Sequence, residues 1–98
     1  MAVIATVTMP GATLEQYDQL RALVGWLEVP PVGGIAHLVW ADADGLHGTD
    51  AWESEEAFAT FGQERMGPAM AKLGITTEMQ VTFQQAHEVY VPQAVKLT

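Results

Sequence analysis

The chain contains no cysteine, and this absence removes several kinds of chemistry at once. Disulfide bonds, thiolate metal sites and a cysteine nucleophile are excluded, and nothing indicates an oxidising compartment. Basic residues are also scarce, because four Lys and Arg stand against twelve Asp and Glu and give a formal net charge of −8. A surface of that sign is a poor match for nucleic acid or for an anionic membrane. We therefore expect neither as a partner.

Long apolar runs and targeting signals are missing as well. No stretch approaches the ~20 apolar residues that a membrane-spanning helix requires. The first residues lack the charged region that opens a signal peptide. We therefore expect a cytoplasmic protein. The sequence contains no repeat, linker or low-complexity tract, so we interpret residues 1–98 as a single domain.

What the chain does contain is an ordered series of strand and helix patterns. Four segments have the composition or alternation of strands: residues 2–8, 35–41, 46–52 and 79–91. Two segments have apolar residues at three- and four-residue steps, as helices do: residues 13–27 and 54–73. Thr13 and Ser54 are suitable N-caps for these helices. The pair Gly67-Pro68 predicts a kink or break in the second helix.

The resulting order, βαββαβ, predicts an α+β fold of the ferredoxin-like type. Such a fold has an antiparallel four-stranded sheet with two helices on one face, and its other face is left open. The strand at 35–41 carries apolar groups on both faces, and the strand at Met79 to Val91 is longer than one small sheet requires. Because 49% of the residues are hydrophobic and only 16% are charged, we expect a homodimer in which two sheets pack face to face.

Four segments together resemble a known family. They are PGATLEQYDQL (10–20), GGIAHLVW (33–40), DAWESEEAFATFGQERMGPAMAKLGI (50–75) and VTFQQAHEVY (81–90). They are similar to small bacterial dimeric α+β-barrel proteins related to the antibiotic-biosynthesis-monooxygenase superfamily, mainly through the sequence W-E-S-x-E-x-F. The resemblance implies a dimeric α+β barrel that takes a small hydrophobic ligand between helices and sheet. Members of this superfamily include cofactor-free oxygenases, haem-degrading enzymes, isomerases, dehydratases and proteins of no known activity.

The resemblance does not imply a cofactor in this chain. The haem-degrading relatives ligate iron with a histidine on the second long helix, but residues 54–73 contain no histidine. The pair Gly33-Gly34 lacks the context of a phosphate-binding glycine loop. The three histidines, at positions 37, 47 and 87, have no metal-ligand spacing. We therefore expect neither a cofactor nor a metal.

The hairpin at Asp44-Gly45 decides whether two candidate catalytic residues meet. If these two residues form the turn, His37 lies opposite Trp52 and shares a face with Asp50 as its diagonal neighbour. If a three-residue loop with a bulge forms instead, His37 lies opposite Ala51 and is separated from Asp50. The sequence leaves both registers open.

A pair of His37 and Asp50 would predict general-base chemistry. In a mostly apolar, enclosed cavity, His37 could remove a proton from an activated carbon or a phenol while Asp50 holds the imidazole tautomer. The alternative is a strand histidine that is hydrogen-bonded in the core or exposed at an edge. Catalysis would require an enclosed void of about 300 Å³ or more that both side chains reach.

Further candidates for ligand binding are mostly aromatic residues and methionines. They are Tyr17, Trp40, Trp52, Phe58, Phe61, Met66, Met70 and His87. Tyr17 lies on the apolar stripe of the first helix, where its hydroxyl could serve as a donor or proton relay. The aromatic and methionine side chains could equally form an ordinary core between sheet and helices.

Two functions therefore remain open. One is a cofactor-independent monooxygenase, isomerase or cyclase that acts on a hydrophobic aromatic or polyketide-like substrate. The other is a non-catalytic dimeric ligand-binding or stress-related protein. The presence or absence of an enclosed cavity at His37 and Asp50 is the structural feature that separates them.

Overall fold

The computed structural model describes residues 1–92 and has the predicted order of elements. Its strands are β1 (Val3–Pro10), β2 (Gly34–Asp42), β3 (Gly45–Trp52) and β4 (Gln80–Gln85). Its helices are α1 (Leu14–Val24), α2 (Glu55–Phe61) and α3 (Gly67–Lys72), with a π-helical segment at Gly62–Met66 between the last two. The second predicted helix is therefore present but has three parts.

The four strands form one antiparallel sheet in the order β2-β3-β1-β4. This is the predicted ferredoxin-like α+β arrangement. The core lies between the helices and one face of the sheet, where Leu20 of α1 and Ala69 of α3 meet Met9 and Leu46 of the two central strands. Burying one such aliphatic side chain contributes about 1.5–3 kcal/mol, so this cluster fixes the helices on that face.

The first helix begins as predicted and ends earlier. The Thr13 hydroxyl accepts a hydrogen bond from the Gln16 backbone N–H, and the Gln16 side chain accepts one from the Thr13 N–H, which forms a capping box. The predicted helix runs to residue 27, but α1 stops at Val24 because Gly25 adopts a left-handed conformation with φ of 70°. The chain after Gly25 therefore turns back over the sheet.

The break in the second helical region lies slightly before its predicted position. The Gly67 N–H donates to the Gly62 carbonyl five residues earlier, so the helix widens into a π turn directly ahead of Pro68. In a regular helix the proline ring would clash with the carbonyl four residues before it, and proline has no N–H to donate. The wider turn accommodates both constraints.

The β2–β3 hairpin has neither of the two predicted registers. Its turn residues are Ala43 and Asp44, and Asp42 pairs with Gly45. The Asp44 N–H donates to the Asp42 carboxylate over 2.9 Å, which stabilises the turn one residue earlier than the sequence suggests. Gly45 belongs to the strand, with φ of 138°, and an added Cβ there would lie 2.5 Å from the Met9 carbonyl oxygen of β1.

The same turn gives a prediction about stability in acid. Hydrogen bonds from the His47 side chain and the Asp44 backbone lower the pKa of Asp42 below its ordinary 3.8. The stability from this carboxylate is present above pH 3.8 and is lost as the pH falls through the lowered pKa. Asp42→Asn should therefore reduce the free energy of unfolding near neutral pH and have a smaller effect well below pH 3.8. Urea titrations at the two pH values, with Asp44→Asn as the control, check this. An equal loss at both would contradict it.

The fourth strand is much shorter than predicted. It ends at Gln85, whereas the prediction extends it to Val91. The reason is its partner, because Val3 begins β1 and pairs with Gln85, so the sheet offers almost no chain beyond that point. After one more hydrogen bond, from the Ala86 N–H to the Ala2 carbonyl, the chain leaves the sheet. The prediction that this strand continues to Val91 is therefore wrong for the single chain, and its pairing with a second copy stays a prediction.

Candidate active site

His37 and Asp50 lie directly opposite each other on β2 and β3. Both side chains point to the face of the sheet that carries the helices, since Val39, two residues along β2, packs against the core. A hydrogen bond of 2.6 Å joins His37 Nδ1 to Asp50 Oδ1. The structure therefore brings the two candidate catalytic residues into contact, through a register that neither alternative anticipated.

Tyr17 extends this pair into a chain of three polar groups. It lies on α1, and its hydroxyl oxygen is 2.7 Å from His37 Nε2. The Asp50 carboxylate can only accept, so in the neutral imidazole the proton lies on Nδ1 and Nε2 carries the lone pair. The Tyr17 hydroxyl is therefore the donor in its bond to the neutral form of His37.

Trp52 makes a further hydrogen bond to Asp50, at the end of this series of polar groups opposite Tyr17. Its indole N–H donates to Asp50 Oδ2 over 3.2 Å. Trp52 is only 4% exposed and packs against Phe58 and Phe61, with ring centroids 5.6 and 5.5 Å away. All three residues are candidates for ligand binding by sequence. The structure places Trp52 in the core instead, where it fixes the second carboxylate oxygen.

Trp26 is a residue of this site that the sequence prediction missed. It follows the C-cap Gly25, and its ring centroid lies 5.6 Å from that of Tyr17 and 5.8 Å from that of His37. The Tyr17 and His37 rings are themselves nearly parallel, at 15°. A helix that continued to residue 27 would place Trp26 off its apolar stripe. The signal that could have found it is Gly25, which ends the helix and turns the indole toward the sheet edge.

Solvent exposure increases across the site from Asp50 to His37. The Asp50 side chain is 12% exposed, whereas the His37 side chain is 42% exposed at the edge strand of the sheet. Burial raises the pKa of the Tyr17 phenol above its ordinary 10.0; the charge of Asp50 adds to this effect, and Arg21 opposes it. The phenol therefore stays protonated at neutral pH and remains a donor to His37.

The remaining candidates lie away from this chain of groups. Trp40 is on the opposite face of the sheet, stacked on His47 with 5.3 Å between ring centroids. Met66 and Met70 pack against the hydrophobic core. His87 is exposed beyond the end of β4. These four candidates are therefore not brought to His37 by the fold of one chain.

Neither of the two depressions described next is the enclosed void expected at His37 and Asp50. A depression of about 380 Å³ lies between β1, β4 and the start of α2, and one of about 290 Å³ lies between α1 and α3. Both are open to solvent, and neither is lined by His37 or Asp50. In the single chain His37 is thus partly exposed at the sheet edge, and Asp50 lies mostly buried behind it.

The histidines do not gather around a common point. His37 contacts Asp50, and His47 contacts Asp42 on the opposite face. Within residues 1–92 no group of three or more His, Asp or Glu side chains is placed to hold a metal ion. Over the same range no helix combines the length and the apolar character needed to cross a bilayer.

The fold can be compared with known proteins. No protein-family model and no curated protein sequence matches the chain. Solved structures do match its fold. A protein of unknown function from Nitrosomonas europaea has a TM-score of 0.66 at 11% identity, over 95% of each chain. SnoaB, a cofactor-independent oxygenase from Streptomyces nogalater, has a TM-score of 0.59 at 12% identity, over 94% of this chain and 97% of its own.

A third match is a monooxygenase from Streptomyces coelicolor that was solved in complex with nanaomycin D. Its TM-score is 0.54 at 20% identity, over 94% of this chain and 92% of its own. Identities this low establish a common fold and leave the activity of this chain open. The resemblance seen in the sequence is thus confirmed at the level of the fold: the chain has the α+β fold of the antibiotic-biosynthesis-monooxygenase type.

Proposed function

We propose that the protein is a cofactor-independent enzyme that removes a proton from a small, hydrophobic, aromatic substrate. The observation that carries this proposal is the continuous chain of hydrogen bonds from Tyr17 through His37 and Asp50 to Trp52. An imidazole with a carboxylate on one nitrogen and a hydroxyl on the other is the arrangement that makes histidine an effective base. SnoaB, which has the same fold, is a cofactor-independent oxygenase.

Proton removal is the step that these residues can perform by themselves. A substrate with an acidic C–H or phenolic O–H would lose its proton to the site, and the negative charge would spread over its aromatic ring. The Asp50 carboxylate would stabilise the imidazolium formed on His37. An oxygenase would pass the electrons of the resulting anion to O₂, and an isomerase or cyclase would reprotonate or close the anion. All three reactions begin with the same step.

The surroundings of His37 favour a planar, uncharged substrate. The rings of Tyr17 and Trp26 both lie within 6 Å of the imidazole, at centroid distances of 5.8 Å, and provide aromatic surface for stacking. The net charge of −8 disfavours an anionic substrate. The exposed side of His37 gives such a molecule access from the sheet edge.

The proposal is tested with 5-nitrobenzisoxazole, a planar probe for general bases. A base removes its C3 proton, the N–O bond breaks and a coloured cyanonitrophenolate forms. A positioned base contributes about 10²–10⁴-fold, so the purified protein should raise the rate clearly above that of a protein-free buffer control. A rate equal to that control would contradict the proposal. Oxygen uptake with anthrone, which O₂ converts to anthraquinone and water, then distinguishes an oxygenase from an isomerase.

One observation favours the second function, a non-catalytic ligand-binding protein. The two depressions described above, of about 380 and 290 Å³, are not lined by His37. A binding protein of this kind should be stabilised by nanaomycin D in a thermal-shift experiment, to the same extent in the wild type and in His37→Ala. It should also leave 5-nitrobenzisoxazole unchanged. A shift that depends on His37, together with ring opening, would favour the enzyme.

We also propose a homodimer that forms through the open face of the sheet. Leu38 and Trp40 of β2 point away from the helices and are 62% and 47% exposed. Covering such a face with a second copy would bury about 1,200 Å² or more in total. Light scattering at micromolar concentration should give twice the chain mass of 10.6 kDa. Leu38→Lys should give the monomer, whereas Leu14→Lys, at an exposed position of α1, should not. A wild-type mass of one chain would contradict the proposal.

A further inference from the structure

Both ring nitrogens of His37 are already used within the chain of polar groups. Nδ1 is bonded to Asp50 at 2.6 Å, and Nε2 is bonded to the Tyr17 hydroxyl at 2.7 Å. An imidazole has two nitrogens and makes one hydrogen bond in the plane of the ring at each. A substrate proton therefore has no vacant nitrogen to reach, even though the His37 side chain is 42% exposed.

The Tyr17 oxygen is the group that remains available. After it donates its proton to Nε2, a hydroxyl oxygen still carries lone pairs that can accept another hydrogen bond. Tyr17 lies on α1, whose N-terminus is fixed by the Thr13 capping box. Its ring packs against those of both His37 and Trp26, which also contact each other, with centroids 5.8 Å apart. The phenol is therefore held in position by the capped helix and by packing against two neighbouring rings.

We infer that Tyr17 is the catalytic residue that takes the substrate proton, and that His37 acts through it. This inference rests on the proposed function. In the step, the substrate C–H bond breaks, its electron pair stays on the substrate, and the proton bonds to the Tyr17 oxygen. The original Tyr17 O–H bond breaks at the same time, and its proton bonds to His37 Nε2. The substrate becomes an anion and His37 becomes a cation beside Asp50, so the total charge is unchanged.

The environment of Tyr17 favours this coupled transfer over a free phenolate. Burial raises the pKa of Tyr17, and Asp50 raises it further, so the phenol does not lose its proton alone at neutral pH. It can release that proton to His37 only as another arrives from the substrate. The relay therefore gives the site the base strength of the His37–Asp50 pair at the position of the Tyr17 oxygen.

Tyr17→Phe tests the inference because it keeps the ring against Trp26 and removes only the oxygen. With 5-nitrobenzisoxazole as the probe, kcat should fall by about a hundredfold while KM stays nearly constant, because the freed Nε2 lies 2.7 Å behind the lost oxygen and is out of reach of a proton aimed at it. If His37 took the proton directly, the variant would free Nε2 and the rate would stay the same or rise. Tyr90→Phe, which removes the hydroxyl of an exposed tyrosine, is the matched control and should have no effect.

A second substitution keeps the inference testable if Tyr17→Phe does not fold. Site-specific 3,5-difluorotyrosine at position 17 keeps the oxygen and lowers the phenol pKa, so the alkaline limb of the pH–rate profile should move to lower pH. A structural role for Tyr17 would leave the profile unmoved and would overturn the inference. Full activity in Tyr17→Phe with loss in His37→Ala would also overturn it, and would leave the proposed function standing. A wild-type protein without activity on the probe would overturn both.

Discussion

Replacing His37 with alanine should lower the rate of 5-nitrobenzisoxazole opening by about 10²–10⁴-fold, to near the buffer rate. The substitution removes the proton acceptor between Tyr17 and Asp50, and neither neighbour can replace it across the gap. The melting temperature should change little, because the His37 side chain is 42% exposed, so water can replace it as the partner of Asp50 and Tyr17, and Asp50 also keeps its bond from Trp52. His87→Ala, which removes an exposed histidine beyond β4, is the control and should retain full activity.

The alternative is a histidine that only stabilises the strand pair. It predicts a large loss of stability and a small loss of function. His37→Ala would then cost about 1–3 kcal/mol of unfolding free energy through the lost hydrogen bonds, and the effect on ligand binding would be small. Activity and melting temperature measured on the same sample separate the two roles. Asp50→Asn should give an intermediate result, since it preserves shape but removes the charge that favours the imidazolium. Unchanged turnover in His37→Ala would end the catalytic assignment.

Replacing Trp52 with alanine should destabilise the protein by about 3–5 kcal/mol. Trp52 is 4% exposed and sits against Phe58 and Phe61, so truncation leaves a cavity under the sheet. Leu27→Ala, a truncation at an exposed position, is the control and should change the unfolding free energy by no more than about 0.5 kcal/mol. Urea unfolding measures both. Equal effects of the two variants would contradict the placement of Trp52 in the core.

Trp52→Phe separates the packing role of this residue from its hydrogen bond. The variant keeps an aromatic ring against Phe58 and loses the N–H that fixes Asp50 Oδ2. We expect a cost of about 1–3 kcal/mol, because the bond is made to a charged, mostly buried oxygen. Turnover should fall while KM stays nearly constant, since a looser carboxylate positions His37 less well. A pure loss of stability, with the rate per folded molecule unchanged, would show that Trp52 has no part in positioning Asp50.

Local rules in the sequence predicted most of the elements and their caps. The N-caps Thr13 and Ser54 form as expected, because a cap depends on only a few neighbouring residues. Gly74 ends the second helical region with φ of 69°, as a residue after a helix should. The order βαββαβ then left few possible topologies, and the ferredoxin-like antiparallel sheet that it predicts is the one observed.

The features that failed depend on contacts between distant parts of the chain. The hairpin register was missed because Gly45 is not a turn residue. It lies in β3, where β1 approaches too closely to leave room for a side chain, and the turn is formed by Ala43 and Asp44. The fourth strand is short because its partner β1 begins at Val3, which the composition of residues 86–91 could not reveal. Alternation alone therefore predicts that a strand exists, while its length and register follow from its neighbours.

The candidate site was only partly predictable, because some of its contacts follow from local strand patterns and others depend on how distant elements pack. The strand patterns placed His37 and Asp50 on adjacent strands, so a contact was one of the possible outcomes. The bond from Tyr17 to His37 depends on how α1 is rotated over the sheet, and the position of Trp26 depends on where α1 ends. Neither is written in a local pattern. The hydrogen bond between the Tyr17 hydroxyl and His37 Nε2 adds a third group to the His37–Asp50 pair, and the proposed proton relay depends on it.

A double-mutant cycle on Tyr17 and His37 tests most directly whether these groups act as one unit. The rates of 5-nitrobenzisoxazole opening are compared for wild type, Tyr17→Phe, His37→Ala and the double variant, each at the same folded concentration. Residues that work as a unit are strongly non-additive. The double variant should therefore be no slower than His37→Ala alone. Losses that multiply would mean that Tyr17 and His37 act independently, and four equal rates would mean that this chain of hydrogen bonds performs no proton transfer.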